Sequence, residues 1–217
     1  GTKKGTIDLF SMRSDFTYPV NEKLLLESGI KSEYVNIDNT SDYKNREQQE
    51  WEPDYGLSSH FIYKENINAL YFNSRIAHYK FVLEAGLRIE NTNIKGQLPG
   101  NRLQADSSFS KSYINLFPSV TLSYQAEKNH TLNLSYRRRI DRPNYQDMNP
   151  FVYIFDTYTY EQGNTTLQPQ FSDNLELSYL LPNNYKVAVF YNQTNDVIAK
   201  SFILSENSKR VYVMPKN

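Results

Sequence analysis

The chain has 217 residues with 24 basic and 24 acidic side chains, so its formal net charge is zero. This balance argues against a nucleic-acid partner, because proteins that bind nucleic acids normally carry a basic surplus. The mean hydropathy is −0.68, and no window approaches the ~20 consecutive apolar residues of a transmembrane helix. A protein built of strands that alternate apolar and polar residues is compatible with these values, because the mean hydropathy of such strands resembles that of a soluble protein.

Cysteine is absent, and the aromatic residues are mostly tyrosine and phenylalanine, with 18 Tyr, 12 Phe and one Trp. Without cysteine there are no disulfide bonds, no thiolate chemistry and no cysteine zinc sites. The first residues, Gly1–Lys4, are not followed by the apolar segment of a signal peptide. We therefore expect a processed chain or a fragment. We favour a fragment, because residues 211–214 have the pattern of a strand with no later partner.

Weak strand patterns occupy the beginning of the chain and recur later. Residues 5–18 are strand-like, and residues 23–34 alternate polar side chains such as Glu27 and Lys31 with apolar ones. Three further segments have the composition of strands but do not divide cleanly into two faces: 67–76, 186–199 and 209–214. Convincing helical periodicity is found nowhere, so the predicted elements are all strands.

Four strands alternate clearly, within residues 80–90, 113–125, 131–140 and 174–181. One face of these strands is apolar, and its members are Leu83, Leu87, Ile114, Leu116, Val120, Leu122, Leu132, Leu134, Tyr136, Leu177 and Tyr179. The other face is polar, and its charged members are Lys80, Glu84, Arg88, Glu90, Arg137 and Glu176. Such period-two alternation is typical of strands that separate two different environments.

Short and long connections alternate along the chain. Short turns are predicted near 19–22, 77–79, 127–129 and 182–184, and long polar connections are predicted near 37–62, 94–111 and 141–172. Transmembrane barrels show this alternation, because short periplasmic turns alternate with longer extracellular loops. A soluble sandwich gives no reason for it. We predict an all-β antiparallel meander of long strands, part of a transmembrane outer-membrane β-barrel, with the apolar face toward lipid and the polar face toward the lumen.

One stretch carries a motif beyond periodicity. Its residues are Arg139, Arg142, Pro143, Asn149, Pro150, Phe151, Asp156, Gly163, Asn164, Leu167 and Pro169. In order and spacing they resemble the barrel of TonB-dependent receptor-like outer-membrane proteins, particularly the outer membrane protein β-barrel family common in Bacteroidetes. Met148, Thr165 and Gln170 stand where that family usually has Leu, Pro and Glu. Looser similarities at 14–19 and 85–90 extend the resemblance over most of the chain.

The resemblance implies a barrel of about 22 strands that encloses an N-terminal plug domain. It also implies ligand uptake across the outer membrane of a Gram-negative bacterium, driven by the TonB system. Residues 1–217 would form one partial barrel domain of about eight or nine strands, without a plug domain. The implied partners are outer-membrane lipid and, through the rest of the parent protein, the plug and the TonB system. The ligand stays unidentified.

The chemistry of the side chains predicts no enzyme, no metal site and no cofactor. His60, His78 and His130 are scattered, whereas metal ligands converge. No Gly-x-Ser-x-Gly motif occurs, which removes the usual signal for nucleophilic catalysis. Carboxylates such as Glu84 and Glu90 lie six residues apart on one strand, about 20 Å, too far for paired acid–base catalysis.

Three alternatives stay open from the sequence. Arg137, Arg139 and Arg142 either recognise an anionic ligand or plug carboxylates, or brace the wall through salt bridges. Arg138 shares parity with the apolar face, where an interfacial arginine costs about 0–1 kcal/mol, or it pairs with a carboxylate on a soluble sheet. Five alternating aromatic residues either stack on a ligand or pack the loop onto its rim: Phe151, Tyr153, Phe155, Tyr158 and Tyr160.

A different class of protein is the main alternative to the barrel segment. A soluble all-β ligand- or glycan-binding module would use exposed aromatic residues as its binding site. The two hypotheses differ in where the apolar face goes. In the barrel this face meets lipid, whereas in the soluble module it must be covered by a second apolar face inside the protein.

Overall fold

The structure, a computed structural model, describes residues 1–47, 50–126, 130–156, 158–182, 185–204 and 210–217. In chain order its elements are β1 (Thr2–Asn21), β2 (Leu24–Asp42), β3 (Lys44–Glu47), β4 (Glu50–Pro53), β5 (Ser59–His78), β6 (Phe81–Leu98), β7 (Ser107–Gln125), β8 (Thr131–Asp141), α1 (Tyr145–Met148), β9 (Val152–Ile154), β10 (Thr159–Gln162), β11 (Gln170–Leu180), β12 (Lys186–Asn195), β13 (Ala199–Leu204) and β14 (Val211–Lys216).

Most of the chain forms one antiparallel sheet, with neighbouring strands in the order β1-β2-β5-β6-β7-β8-β11-β12. We call this sheet the wall. A second sheet of four short strands has the order β13-β14-β10-β9, and β3 pairs with β4 in a hairpin. None of the helices in the described residues has the length and apolar character needed to cross a membrane. The predicted all-β meander of long strands is confirmed.

The register of the wall shows which side chains share a face, because directly opposite residues point to the same side. Leu122 lies opposite Leu83 and Leu134, and Leu134 lies opposite Leu177. These four leucines are 36% to 47% exposed. No second sheet covers them within the described residues, as the soluble module would require. All eleven side chains predicted for the apolar face lie on this one side, which we call the outer face.

The strands of the wall are longer than the sequence predicted. Five of them have 18 to 20 residues, whereas a membrane-spanning strand needs only about 9–11. The predicted long connections at 37–62 and 94–111 are therefore too wide, since strands occupy much of both ranges. The predicted connection at 141–172 lies close to the observed one, between the end of β8 and the start of β11.

A reversal of polarity explains why the strand ends were missed. In the half of the wall nearer the short turns the outer face is mostly apolar, with Ser28 and Ser74 as exceptions. In the loop-side half the outer face carries Asn68 and Asn91, while apolar side chains such as Phe61, Tyr63 and Ile94 point to the inner face. The alternation changes phase within one strand, so a pattern search ends the strand at that point.

The short turns lie at one end of the wall. The β1–β2 turn is formed by residues 22–23, and the β5–β6 turn by residues 79–80, where Tyr79 has a left-handed φ of 51°. Lys80 therefore lies in a turn and not among the polar side chains of a strand. The predicted turn residues 127–129 and 183–184 lie outside the described residues.

The end of the chain belongs to the small sheet. β14 contains the strand predicted at residues 211–214, and its two partners precede it in the chain, since it pairs antiparallel with β13 and parallel with β10. The predicted strand 186–199 is interrupted because Asp196 adopts a left-handed φ of 55°. The chain leaves the wall there. These pairings join segments that are distant in sequence, so local alternation does not predict them.

Candidate functional site at the loop end of the wall

The connection from β8 to β11, residues 142–169, folds back onto the inner face of the wall. We call it the inner loop. Its side chains complete the hydrophobic core, which consists of Ile37, Phe61, Tyr63, Ile94, Met148 and Leu167. Met148 and Leu167 of the inner loop are 0% and 1% exposed. Burying each such side chain contributes about 1.5–3 kcal/mol, so the packed position of the loop is specified by its sequence.

Arg142 fastens the start of the inner loop to the wall. Its Nη2 donates to the Glu90 carboxylate and, over 3.1 Å, to Thr92 Oγ1. The side chain of Glu90 is 8% exposed and also accepts from Arg88. Burial lowers the pKa of Arg142, but the hydrogen bond with Glu90 and its charge outweigh burial and raise that pKa above its ordinary value. The guanidinium therefore stays charged, and the loop is held by a largely buried ion pair.

Asn149 organises the middle of the inner loop. Its side chain is completely buried, and its Nδ2 donates to Tyr153 Oη over 3.0 Å. Its Oδ1 accepts from the backbone N–H of Phe151 over 3.2 Å, and its carbonyl accepts from the N–H of Gly163 over 2.9 Å. Each polar atom named here has a partner, as a buried amide requires. The motif residues Asn149 and Gly163 thus hold two distant parts of the loop together.

The later motif residues form turns. Asn164 Oδ1 accepts from the N–H of Thr166 over 2.9 Å, and the Lys111 ammonium of β7 donates to the carbonyl of Leu167. Asp156 Oδ1 accepts from the N–H groups of Tyr158 and Thr159, each over 2.7 Å. The backbone hydrogen bond from Tyr158 is the largest cause of a lowered pKa at Asp156. These are turn-forming contacts.

The motif therefore describes how the inner loop folds. Of its eleven residues, four are buried: Pro143, Asn149, Leu167 and Pro169. Phe151 packs edge-on against Phe61, with 6.1 Å between ring centroids, and the carbonyl of Pro150 accepts from Gln162. Arg139 lies apart from these, exposed on the inner face of β8. The order of residues along the chain is enough to recognise the motif. It does not show that the motif fastens the loop, because Glu90, the partner of Arg142, lies 52 positions earlier.

Gly163 tests this interpretation of the motif. A Cβ atom there would collide with the carbonyl of Asn149 and lie 2.7 Å from the carbonyl of Asp147. We expect Gly163→Ala to destabilise the inner loop by about 1–3 kcal/mol, the usual cost of overpacking. Hydrogen exchange of the inner-loop amides in the full-length protein measures the effect.

Gly56→Ala is the matched control, since its Cβ would meet only Asp54 Oδ1, at 3.2 Å. Equal protection of the inner loop in the two variants would show that Gly163 has room for a side chain and would refute the packing interpretation.

A cavity of about 710 Å³ lies between the inner loop and the loop-side ends of β1 and β2. Its lining combines aromatic, charged and amide side chains, including Tyr145, Tyr153, Phe155, Lys3, Lys200 and Glu161. Lys3 Nζ lies 4.9 Å from the Tyr153 ring centroid, and Lys200 Nζ lies 2.6 Å from Glu161 Oε1. The pairing with Glu161 raises the pKa of Lys200 above its ordinary value. Such a lining suits a polar ligand with flat faces.

The sequence left two roles open for the five aromatic residues of the inner loop, packing against the rim and stacking on a ligand, and the structure places the residues in different surroundings. Phe151 and Tyr153 are held in the loop as described, and the Tyr160 ring packs 5.5 Å from that of Tyr212. Phe155 and Tyr158 are 70% and 61% exposed, and only Phe155 of these two lines the cavity. Packing accounts for three residues, and Phe155 is available to a ligand.

Below the inner loop, the inner face of the wall carries separate ion pairs. Arg75 Nε lies 3.2 Å from Glu84 Oε1, and Lys186 Nζ lies 2.6 Å from Glu176 Oε1. The predicted polar residues that lie in strands share this face: Glu84, Arg88, Glu90, Arg137 and Glu176. Arg137 and Arg139 form no ion pair within the described ranges. Salt bridging thus accounts for Arg142, whereas Arg137 lies near Glu176 without a direct ion pair and Arg139 is exposed.

The histidines lie far apart. His60 Nε2 is 2.8 Å from Asp38 Oδ1, His130 Nδ1 is 2.9 Å from Tyr179 Oη, and the His78 ring packs against Tyr79. In the part of the chain that the structure describes, no group of three His, Cys, Asp or Glu side chains is arranged to hold a metal ion.

Comparisons with known proteins agree with this architecture. The model of the outer membrane protein β-barrel family matches residues 1–217. The copper transporter OprC superposes with a TM-score of 0.68 at 10% identity, over 98% of this chain and 33% of that chain. The ferric yersiniabactin uptake receptor FyuA from Yersinia pestis gives 0.61 at 14% identity, over 97% of this chain and 30% of that chain.

The ferric-catecholate import receptor Fiu from K12 E. coli gives a TM-score of 0.58 at 12% identity, over 99% of this chain and 34% of that chain. The chain therefore spans about a third of the length of these proteins. At such identities the likeness shows the fold alone. Among curated proteins the comparison finds no match.

Proposed function

Because this chain belongs to the outer membrane protein β-barrel family and lies in the outer membrane of a Gram-negative bacterium, we propose that it forms part of the wall of a TonB-dependent receptor for ligand uptake. The plug and the contact with the TonB system belong to the rest of the parent protein. The inner loop carries the proposal, because it packs against the inner face of the wall, the side that would line the lumen of a closed barrel. The soluble binding module is set aside, since the chain lies in a membrane. That the chain has no enzymatic activity stays a prediction.

The extent of the apolar side chains on the outer face indicates where the wall is positioned along the bilayer normal. On β7 its apolar side chains run from Ile114 to Tyr124, ten intervals of ~3.3 Å or about 33 Å along the strand. At a tilt of ~40° this gives ~25 Å, the height of the apolar band of outer-membrane barrels. We propose that this band meets lipid. The inner loop then lies in water on the extracellular side.

The cavity at the loop end is the proposed point of first contact with the ligand. Tyr145 and Phe155 offer flat apolar surfaces, and Lys3 offers a cation beside them. We propose a polar solute with anionic groups and flat faces. Metal–siderophore complexes satisfy this description, and the structural neighbours include receptors for such complexes and a copper transporter.

Uptake by cells that carry the full-length protein tests the proposal, with copper and iron–siderophore complexes as probes. We expect at least one probe to accumulate only while the proton gradient is intact. Combining Tyr145→Ala with Phe155→Ala should weaken its binding about tenfold, since each aromatic contact contributes roughly 0.5–1.5 kcal/mol.

Tyr158→Ala is the control, because Tyr158 is similarly exposed but does not line the cavity. Accumulation that is unchanged when the gradient is collapsed would contradict TonB-dependent uptake. An equal loss of binding in the double variant and in Tyr158→Ala would contradict the cavity as the point of contact.

A further inference from the structure

The outer face changes chemistry above the apolar band. On β5 and β6 the apolar side chains of the band end at Leu70 and Ile89, and two amides and a lysine follow on each strand, with Ile62 beyond the lysine on β5. Four asparagines from the two strands lie in adjacent register pairs: Asn66, Asn68, Asn91 and Asn93. Amides and hydroxyls both donate and accept hydrogen bonds, as the hydroxyl groups of a sugar do.

These amides are ordered by one another and by neighbouring serines. Asn93 Nδ2 donates to Asn91 Oδ1 over 2.5 Å, and Ser112 Oγ donates to Asn93 Oδ1 over 2.8 Å. On the other side, Ser32 Oγ donates to Asn68 Oδ1 over 2.7 Å. These side chains form a polar belt across β2, β5, β6 and β7 at the proposed edge of the hydrocarbon, where Tyr34 and Ile114 are the register partners of Asn66 and Asn91.

Two lysines stand above the belt, directly opposite each other. Lys64 of β5 and Lys95 of β6 are register partners, and both are exposed. Their outward neighbours across the sheet, Asn36 and Ser110, are neutral. Within the described residues neither lysine forms an ion pair. Like charges directly opposite on a sheet are destabilising, so this pair is suited to share an anion.

Two nearby acids of the outer face do not relieve the repulsion. Asp8 of β1, opposite Asn36, accepts from Asn36 Nδ2 over 3.3 Å. Asp38 lies two positions from Asn36 on β2 and belongs to the same face. Its carboxylate oxygen lies 2.8 Å from His60 Nε2 and so is already engaged. An external anion that bridges the two ammonium groups would replace the repulsion by two favourable ion pairs. Phosphate, with several acceptor oxygens, has the geometry to do so.

The height of the lysines identifies the source of the anion. Lys64 lies six residues beyond Leu70, and Lys95 lies six beyond Ile89. At ~3.3 Å per residue and a tilt of ~40°, both stand ~10–15 Å above the edge of the apolar band, the lower value being counted from Ile114 on β7 to Ser110, the register partner of Lys95. In the outer leaflet this is the level of a bulky sugar headgroup, well above acyl chains.

We propose that the surface formed by Lys64, Lys95 and the four asparagines binds the phosphorylated sugar headgroup of an outer-leaflet glycolipid. The lysine pair takes a phosphate, and the asparagine belt takes sugar hydroxyls. We call it the headgroup surface. It faces away from the lumen, so its role is separate from ligand uptake: it anchors a specific lipid against the wall.

Lipid enrichment around the full-length protein in nanodiscs tests the proposal. A donor fluorophore is attached at Ser110→Cys, beside Lys95 on the outer face, after any cysteine elsewhere in the parent is replaced. The acceptor is carried by a diphosphorylated lipid A glycolipid, by its dephosphorylated form, or by phosphatidylglycerol. We expect energy transfer above the random level for the diphosphorylated glycolipid alone.

Combining Lys64→Gln with Lys95→Gln should reduce this enrichment about tenfold, whereas Lys64→Arg with Lys95→Arg should retain it. Lys23→Glu is the matched control, because it produces the same change in net charge at the turn end of the wall. It should leave the enrichment unchanged.

Three results would overturn the proposal. Enrichment that survives the double glutamine variant shows that the lysines do not hold the headgroup. Equal enrichment of the dephosphorylated glycolipid excludes phosphate as the recognised group. Equal enrichment of phosphatidylglycerol shows attraction by charge alone, without recognition of the sugar.

Discussion

Replacing Arg142 by alanine is expected to release the inner loop from the wall. The change leaves the carboxylate of Glu90, which is 8% exposed, without the partner that holds the loop. Breaking a buried ion pair by removing one partner typically costs about 3–5 kcal/mol. The same change removes the donor to Thr92 Oγ1, whose residue is completely buried. Hydrogen exchange of amides in residues 142–169 of the full-length, membrane-embedded protein should rise accordingly.

Arg75→Ala provides the matched control. Arg75 pairs with Glu84 over 3.2 Å, but the two side chains are 55% and 56% exposed, and such pairs contribute at most about 1 kcal/mol. Combining Arg142→Leu with Glu90→Leu should recover part of the loss, because the Glu90 carboxylate is then no longer buried without Arg142, although Arg88 loses its partner Glu90. If Arg142→Ala leaves inner-loop exchange no higher than Arg75→Ala does, the ion pair is not what fastens the loop.

An arginine in place of Val120 is expected to destabilise the wall far more than one in place of its neighbour Thr121. Val120 lies near the middle of the apolar band, on the outer face opposite Ala85 and Tyr136. A lipid-facing arginine at this depth costs about 2–4 kcal/mol. Thr121 lies on the inner face opposite Glu84, so Thr121→Arg meets water and a carboxylate.

Guanidinium unfolding of the full-length protein in lipid vesicles measures the difference between Val120→Arg and Thr121→Arg. We expect Val120→Arg to lower the free energy of unfolding by roughly 2–4 kcal/mol, with little change for Thr121→Arg. Equal losses in the two variants would mean that the two faces meet the same environment, which contradicts the assignment of the outer face to lipid.

The sequence predicts the fold best where a strand has lipid on one face and water on the other. Between Leu83 and Leu177, the outer positions of the apolar band are apolar because they share one environment. Period-two alternation in the sequence shows this directly. The loop-side halves were missed because the core with Phe61 and Ile94 places apolar residues on the inner face there. A search for alternation of the opposite phase would have found them.

The candidate site was predicted less completely. The motif from Arg139 to Pro169 was recognised, but its contacts with Glu90, Thr92 and Lys111 depend on how the loop folds over the wall. Periodicity carries no information on such contacts, since the partners lie on strands that precede the loop by dozens of residues. The pairing of Lys64 with Lys95 likewise appears only when the register is known.

The central claim is that one face of the wall meets lipid and the other meets water. The absence of cysteine from this chain allows a direct test with single cysteines in place of Leu132, Asn133, Leu134 and Ser135, each labelled with a fluorophore in the membrane-embedded parent protein. The register places the two leucines on the outer face and the other two residues on the inner face. Brominated lipid should quench the labels at the leucine positions, while the labels at Asn133 and Ser135 should respond only to a water-soluble quencher. If brominated lipid quenches none of the four labels, the strand does not span a bilayer and the account is contradicted.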